Sequence, residues 1–175
     1  MKIVVFRQKG EYCCRPDTTL NHNNSDYYCP EGVKALRVVP CVYTHIDKAG
    51  KCVAVRFARR YFKTTALGCL ISDATEGACE SVASSMDFTS VMDMSLTSAD
   101  KTEEYSFSVN GNKVCSVRNV DFLTRLDEAL VDITRLTTLR IGDIIALEAG
   151  REIPVKPGDS ITMSTAAGNK TIRIF

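Results

Sequence analysis

The chain has 175 residues, of which 45% are hydrophobic and 25% charged, and its formal net charge is +1. That is enough apolar material for one core and too much for a disordered chain, so a single domain over residues 1–175 is expected. With 22 basic against 21 acidic residues there is no electrostatic footprint for nucleic acid or an anionic membrane surface.

In chain order, MKIVVF reads as a short buried strand. With Arg7, Lys9 and Glu11 following so soon, it is too short for a signal-peptide core. Asn21 to Asp26, NHNNSD, is a loop by composition. ALRVVPCVYTHI, residues 35–46, is rich in β-branched residues and reads as strand, with Pro40 calling for an edge position or a bulge. Asp47 to Lys51 makes a turn, and CVAVRF begins a further strand or short helix. Residues 72–100 carry many small and acidic residues, which predicts loops and short strands. Tyr105, Phe107 and Val109 alternate into Asn110-Gly111, and alternation resumes at Val114, which predicts a tight hairpin. Asp121 to Leu136 is the principal helix. Phe122, Leu123, Leu126, Ala129, Leu130, Ile133 and Leu136 share one face, and Asp121 stands as a possible N-cap. Beyond it, Gly142-Asp143 and Gly158-Asp159 each turn into a strand, and Asn169 marks a final turn before TIRIF. The fold class is α+β, mainly β, with one principal helix. No apolar run is long enough to cross a bilayer.

Eight cysteines are many for this length: Cys13, Cys14, Cys29, Cys41, Cys52, Cys69, Cys79 and Cys115. Without an export signal they are expected to be reduced thiols, packed as small hydrophobes in a cytoplasmic protein. No C-x-x-C pair occurs, which weakens zinc and redox readings. His22, Cys29, Cys41 and His45 do not make a metal set either, because Cys41 and His45 would lie about 13 Å apart along an extended strand. The sequence lacks a G-x-S-x-G elbow, a P-loop and a dinucleotide glycine fingerprint. No short pair of carboxylates in a strand aims two oxygens at one Mg²⁺.

The order of segments carries a resemblance. A VNG hairpin is followed by the D-F-L…L-D-E-A-L helix, then L-T-T-L-R-I-G-D-I-I, then V-K-P-G-D and a closing strand. This resembles the C-terminal half of the fumarylacetoacetate hydrolase family. Upstream, RPDTTL (Arg15 to Leu20), HIDKAGKCVAVRFARRYF (His45 to Phe62) and SSMDFTSVMDMS (Ser84 to Ser95) resemble further segments of that family, so the likeness runs from about residue 14 onward. It implies a mixed β-sandwich roll, assembled as a homodimer. It also implies a chemistry in which Mg²⁺ or Mn²⁺, held by E-x-E on one strand and an Asp on a later one, polarises a small 2-oxo or β-diketo acid.

The same resemblance places the E-x-E pair at Val39 and Cys41 and the Asp at Leu70, so all three carboxylates are missing. The family's Lys falls near Ser84, and its oxyanion loop reads LEAG, Leu147 to Gly150, shortened and containing Glu148. Asp87 is kept, as are the turn formers Gly142, Asp143, Gly158 and Asp159. The N-terminal segment with the family's catalytic His has no counterpart in MKIVVFRQKGEYCC, so the domain is short at that end relative to the family. What the fold needs survives, and what the chemistry needs is lost.

Three readings follow. In the first, the chain is an inactive scaffold or binding protein, a pseudoenzyme with no cofactor, paired with itself or with a paralogous family member. In the second, it is a divergent metal-dependent hydrolase, decarboxylase or isomerase of a 2-oxo or β-diketo acid such as an acylpyruvate. Its Mg²⁺ or Mn²⁺ would be held by acids among Asp73, Glu76, Glu80, Asp87 and Glu148. In the third, Cys41 is a reactive thiol. Arg15 is either a relic of substrate binding at a family Lys position or not, and Arg59-Arg60 and His45 have bland readings as exposed and half-exposed residues.

Overall fold

The computed structural model describes residues 1–7, 11–92 and 95–175. Lys9 of the N-terminal segment, and Asp93 and Met94 of the Ser84–Ser95 stretch, lie outside the described residues.

The strands in chain order are β1 (Lys2–Phe6), β2 (Tyr12–Pro16), β3 (Leu20–Asn21), β4 (Leu36–His45), β5 (Thr64–Asp73), β6 (Ser90–Met92), β7 (Thr97–Ser98), β8 (Glu104–Val109), β9 (Asn112–Arg118), β10 (Ile144–Glu148), β11 (Ile153–Val155), β12 (Ser160–Thr165) and β13 (Gly168–Arg173). The helices are α1 (Glu80–Ala83) and α2 (Leu123–Leu136), with a 3₁₀ helix at Val55–Tyr61 and another at Asn119–Phe122. A mixed sheet runs β2-β1-β10-β4-β5-β6-β3, with β11 beside β4 and β7 beside β5. A second, antiparallel sheet runs β13-β12-β8-β9. This is the α+β, mainly β arrangement that the alternating patterns predict.

The larger sheet curls. Arg15 on its edge strand β2 donates hydrogen bonds to Ile71 O and Ser72 Oγ of β5, four positions away in the strand order. A flat sheet could not bring them together. Alternation then gives each strand an inner and an outer residue set. Ile3, Val5, Leu20, Cys41, Tyr43, Ala66, Leu70, Met92, Ile144 and Ala146 pack as one cluster inside the curl. Val4, Val42, Leu67, Ile71, Ile145 and Leu147 belong to a larger cluster outside it, shared with Tyr105, Phe107, Ile161 and Met163 of the second sheet and with Leu126, Leu130 and Ile133 of α2.

Pro40 sits in a strand with neighbours on both sides, where its missing N–H would normally break a ladder. The ladder changes partner at that point: β10 pairs with residues 41–45 of β4 and β11 with residues 36–38. The proline thus marks the break that its sequence position calls for. The hairpin forms at Asn110-Gly111 with φ of 52° and 76°, the left-handed pair a tight two-residue turn requires.

Three local expectations are corrected. The α-helix begins at Leu123, and residues 119–122 are 3₁₀. Asp121 does not cap it, because its carboxylate is taken by Arg118 in a two-pronged ion pair at 2.9 and 3.1 Å. Leu136 points to solvent, since the last turn of the helix runs past the core. The final turn falls at residues 166–167, so Asn169 is already in β13.

Candidate functional site

The three positions singled out on β4 and β5 come together. Val39 is the direct cross-strand partner of Leu70, and Cys41 lies two residues along β4, hence on the same inner face. Val39, Cys41 and Leu70 are 5%, 0% and 3% exposed. Between Ala66 and Leu70, Gly68 allows the curl to close. A Cβ there would lie 2.8 Å from Val91 O and 3.0 Å from Met92 Sδ. Burial pushes the Cys41 thiol well above its ordinary range, so it is a poor nucleophile and fills space as a small hydrophobe.

Above this floor the inner face opens into a crevice of about 10 Å³, the room of one water molecule. Its walls are Val5, Cys13, Val39, Leu70 and Ser72, with the charged groups Arg7, Arg15, Arg37, Glu148 and Glu152. Glu148, opposite Cys41 in the β10–β4 ladder, exerts its charge on Arg7 and Cys41. At the mouth, Glu80 of α1 accepts from Arg7 and from Arg37, the latter at 2.9 and 3.1 Å. Arg37 also lies 3.5 Å from Glu152. Burial pushes the Glu80 carboxyl up, but the two guanidinium groups overcome this and hold it below its ordinary value. Deeper in, Arg15 is 4% exposed and bonds neutral partners: Ile71 O at 2.9 Å, Ser72 Oγ at 2.6 Å and Thr89 Oγ1 at 3.4 Å.

The other candidates lie elsewhere or are committed. Asp73 is on the outer side of β5, one residue out of step with Ser72, and its carboxylate accepts from Thr75 N at 2.7 Å. Glu76 is exposed in the following turn. Ser84 is buried, donating to Glu80 O at 2.8 Å, and does not line the crevice. Asp87 is exposed in a separate cleft of about 550 Å³ with Asp26, Tyr27, Tyr28, Met86 and Phe88. His45 is half-buried, its ring edge-on to Tyr43 at 5.7 Å. Arg59 forms a two-pronged ion pair with Asp127 of α2 at 2.7 and 3.1 Å, so it holds the helix. The expectation of uniformly packed thiols is corrected too: Cys14, Cys52 and Cys79 are exposed.

A hard dication wants six or more oxygens. The side chains of Val39, Cys41 and Leu70 supply none, and the crevice above them sets three guanidinium groups beside the carboxylates of Glu148 and Glu152. At these three positions the residues present do not fit Mg²⁺ or Mn²⁺. Arg7 and Arg37 were not foreseen as crevice residues. Arg7 follows β1 and Arg37 lies in β4, far apart in sequence, and only their shared parity with the inward Val5 and Val39 could have suggested them.

No known family's sequence model matches the chain, and no curated protein does. Solved structures do. A fumarylacetoacetate hydrolase family protein from Yersinia pestis superposes with a TM-score of 0.84 at 15% identity, over 99% of this chain and 92% of that one. Fumarylpyruvate hydrolase from Pseudomonas aeruginosa, solved with Mn²⁺ and pyruvate, gives 0.83 at 14% identity, over 99% and 89%. Maleylpyruvate hydrolase from a Sphingobium species gives 0.82 at 18% identity, over 99% and 69%. The chain has the fold of these proteins, with a sequence far diverged from theirs.

Proposed function

We propose that this chain is a degenerate member of the fumarylacetoacetate hydrolase family that has given up metal-dependent chemistry and serves as a scaffold or binding protein. One observation carries the reading: Val39, Cys41 and Leu70, at the positions where the family resemblance puts the metal ligands, are packed together and buried. Three carboxylates on one face repel each other without their cation. Replacing them with apolar side chains removes that repulsion and adds buried surface, a trade of function for stability. The reading extends to a homodimer, or a pairing with a paralogous member, in the cytoplasm.

The test is isothermal titration of chelator-treated protein with Mg²⁺ and Mn²⁺, with and without oxalate as an enolate mimic. The expected result is no binding heat in either case. Micromolar-to-millimolar binding that tightens with oxalate would overturn the reading in favour of a metal-dependent hydrolase or isomerase of an acylpyruvate-like acid.

A further inference from the structure

The two most exposed aromatic side chains among the described residues meet in one cleft. Tyr28 is 72% exposed and Phe88 59%, and both line the cavity of about 550 Å³ that also takes Tyr27, Met86, Asp26 and Asp87. That volume is in the range of small-molecule sites, and rings grouped at a surface mark a place where something docks. Both walls are fixed by backbone hydrogen bonds. On one, Tyr27 N donates to Arg173 O and Phe175 N to Tyr27 O, each at 2.8 Å, and Cys29 N donates to Phe175 O at 2.7 Å. The Tyr28 ring stacks on Phe175, with centroids 5.3 Å apart and planes at 19°. On the other, Phe88 N donates to Thr18 O at 3.2 Å and Thr89 Oγ1 to Met86 O at 2.5 Å. Phe88 holds a φ of 59°, the left-handed region, which is rare for an aromatic residue. Such strain persists only where the surroundings impose it, and it gathers at ligand sites.

The charge of the cleft has one sign. The Asp87 carboxylate has no hydrogen-bond or ion-pair partner among the described residues, and that of Asp26 accepts only the backbone N–H of Arg173, at 2.8 Å. No Lys, Arg or His lines the cleft among the described residues; the side chain of Arg173 is exposed and outside the lining. An aromatic face carries negative potential and attracts a cation, most effectively one that sheds its water easily. A metal dication holds its water too strongly for ring faces, an anion would be repelled, and a neutral ligand would leave both carboxylates unused. Rings beside carboxylates suit an alkylammonium or a guanidinium.

We propose that this cleft binds a small organic cation, with its charged head against the Tyr28 and Phe88 rings and balanced by Asp26 and Asp87. The cleft is separate from the crevice on the inner face, so the inference goes beyond the scaffold reading and does not depend on it.

The test is a nuclear magnetic resonance titration of the isotope-labelled whole chain with choline, with agmatine, and with the uncharged isostere of choline in which carbon replaces nitrogen. At least one of the two cations should saturate with a Kd of about 5 mM or tighter, and should shift the amides of residues 26–28 and 85–88. The stronger of the two tells an alkylammonium site from a guanidinium site. The isostere should bind about tenfold or more weakly than choline or agmatine. Tyr28→Ala and Asp87→Asn change exposed side chains, and each should weaken the cation about fivefold or more. The isostere comparison needs no variant, so it decides even where a substitution unfolds the chain. No cation binding, an isostere that binds as tightly, shifts away from the cleft, or an unchanged affinity in either folded variant would overturn the proposal. Mn²⁺ titration bears only on the inner face, so failure of one reading is told apart from failure of the other.

Discussion

At the scale of single residues, the account rests on what side chains do on the inner face. Leu70→Asp would bury a carboxylate against Val39 and Cys41, and should destabilise the fold by about 3 kcal/mol or more, read as a fall in the urea midpoint. A change under about 1 kcal/mol would mean that the face is not packed. Thiol chemistry gives an independent check. Burial raises Cys69 to about 12 and Cys41 well above its ordinary value. Exposed Cys79 is lowered by hydrogen bonds from Ser81 and the backbone of Val82 and Ser81. With a thiol reagent on native protein, Cys79 should react first and Cys41 and Cys69 only on unfolding. A native Cys41 reaction would revive the reactive-thiol reading. Elsewhere, Asp143 is 2% exposed and accepts from Lys2 N, Lys2 Nζ and Arg140 N at 3.0, 2.6 and 2.8 Å. Burial pushes its carboxyl up, but these donors overcome this and hold it below its ordinary 3.8. A depressed carboxylate stabilises the fold above its unfolded pKa, and the contribution is lost as pH falls through the lower, folded value. Asp143→Asn should therefore cost about 1–3 kcal/mol at neutral pH, and the difference from wild type should narrow below about pH 4.

At the scale of elements, local signals were legible where local physics decides. Asn110-Gly111 made its hairpin because only a left-handed pair closes two residues. The α2 face was readable from helical spacing in its middle: Leu126, Ala129, Leu130 and Ile133 are buried as the spacing predicts, whereas Val131 and Thr134, which it did not pick out, are buried too. What was not legible depends on partners. Whether Asp121 caps the helix or pairs with Arg118 is a competition between two short-range contacts that sequence does not rank. Arg15 lies in YCCRP, whose local pattern says nothing of burial; it is buried because the sheet curls its edge onto β5. Gly68 is an instance of the same tertiary demand. Gly68→Ala would drive a Cβ to 2.8 Å from the backbone oxygen of Val91, which cannot yield without parting β5 from β6. It should cost about 1–3 kcal/mol in chemical denaturation, and a neutral outcome would mean that the curl is looser than described.

At the scale of the whole molecule, the curl of the larger sheet creates a second small core. Its floor is apolar, its mouth is laced by Arg7, Arg37, Glu80 and Glu152, and Arg15 stands beneath them. Val39, Cys41 and Leu70, the positions that the family resemblance assigns to metal ligands, could be named from the sequence, and the sheet sets them on one inner face. The arginines that now wall the crevice could not, because they meet only in three dimensions. The most direct test of the proposed function is to install the carboxylates that the family resemblance calls for. Mn²⁺ binding should be measured by electron paramagnetic resonance on wild type and on the triple variant Val39→Glu, Cys41→Glu, Leu70→Asp, each first confirmed to fold. The account predicts free-ion spectra for wild type and bound Mn²⁺ for the triple variant, whose carboxylates would regain a cation to share. Bound Mn²⁺ in the wild type would contradict it.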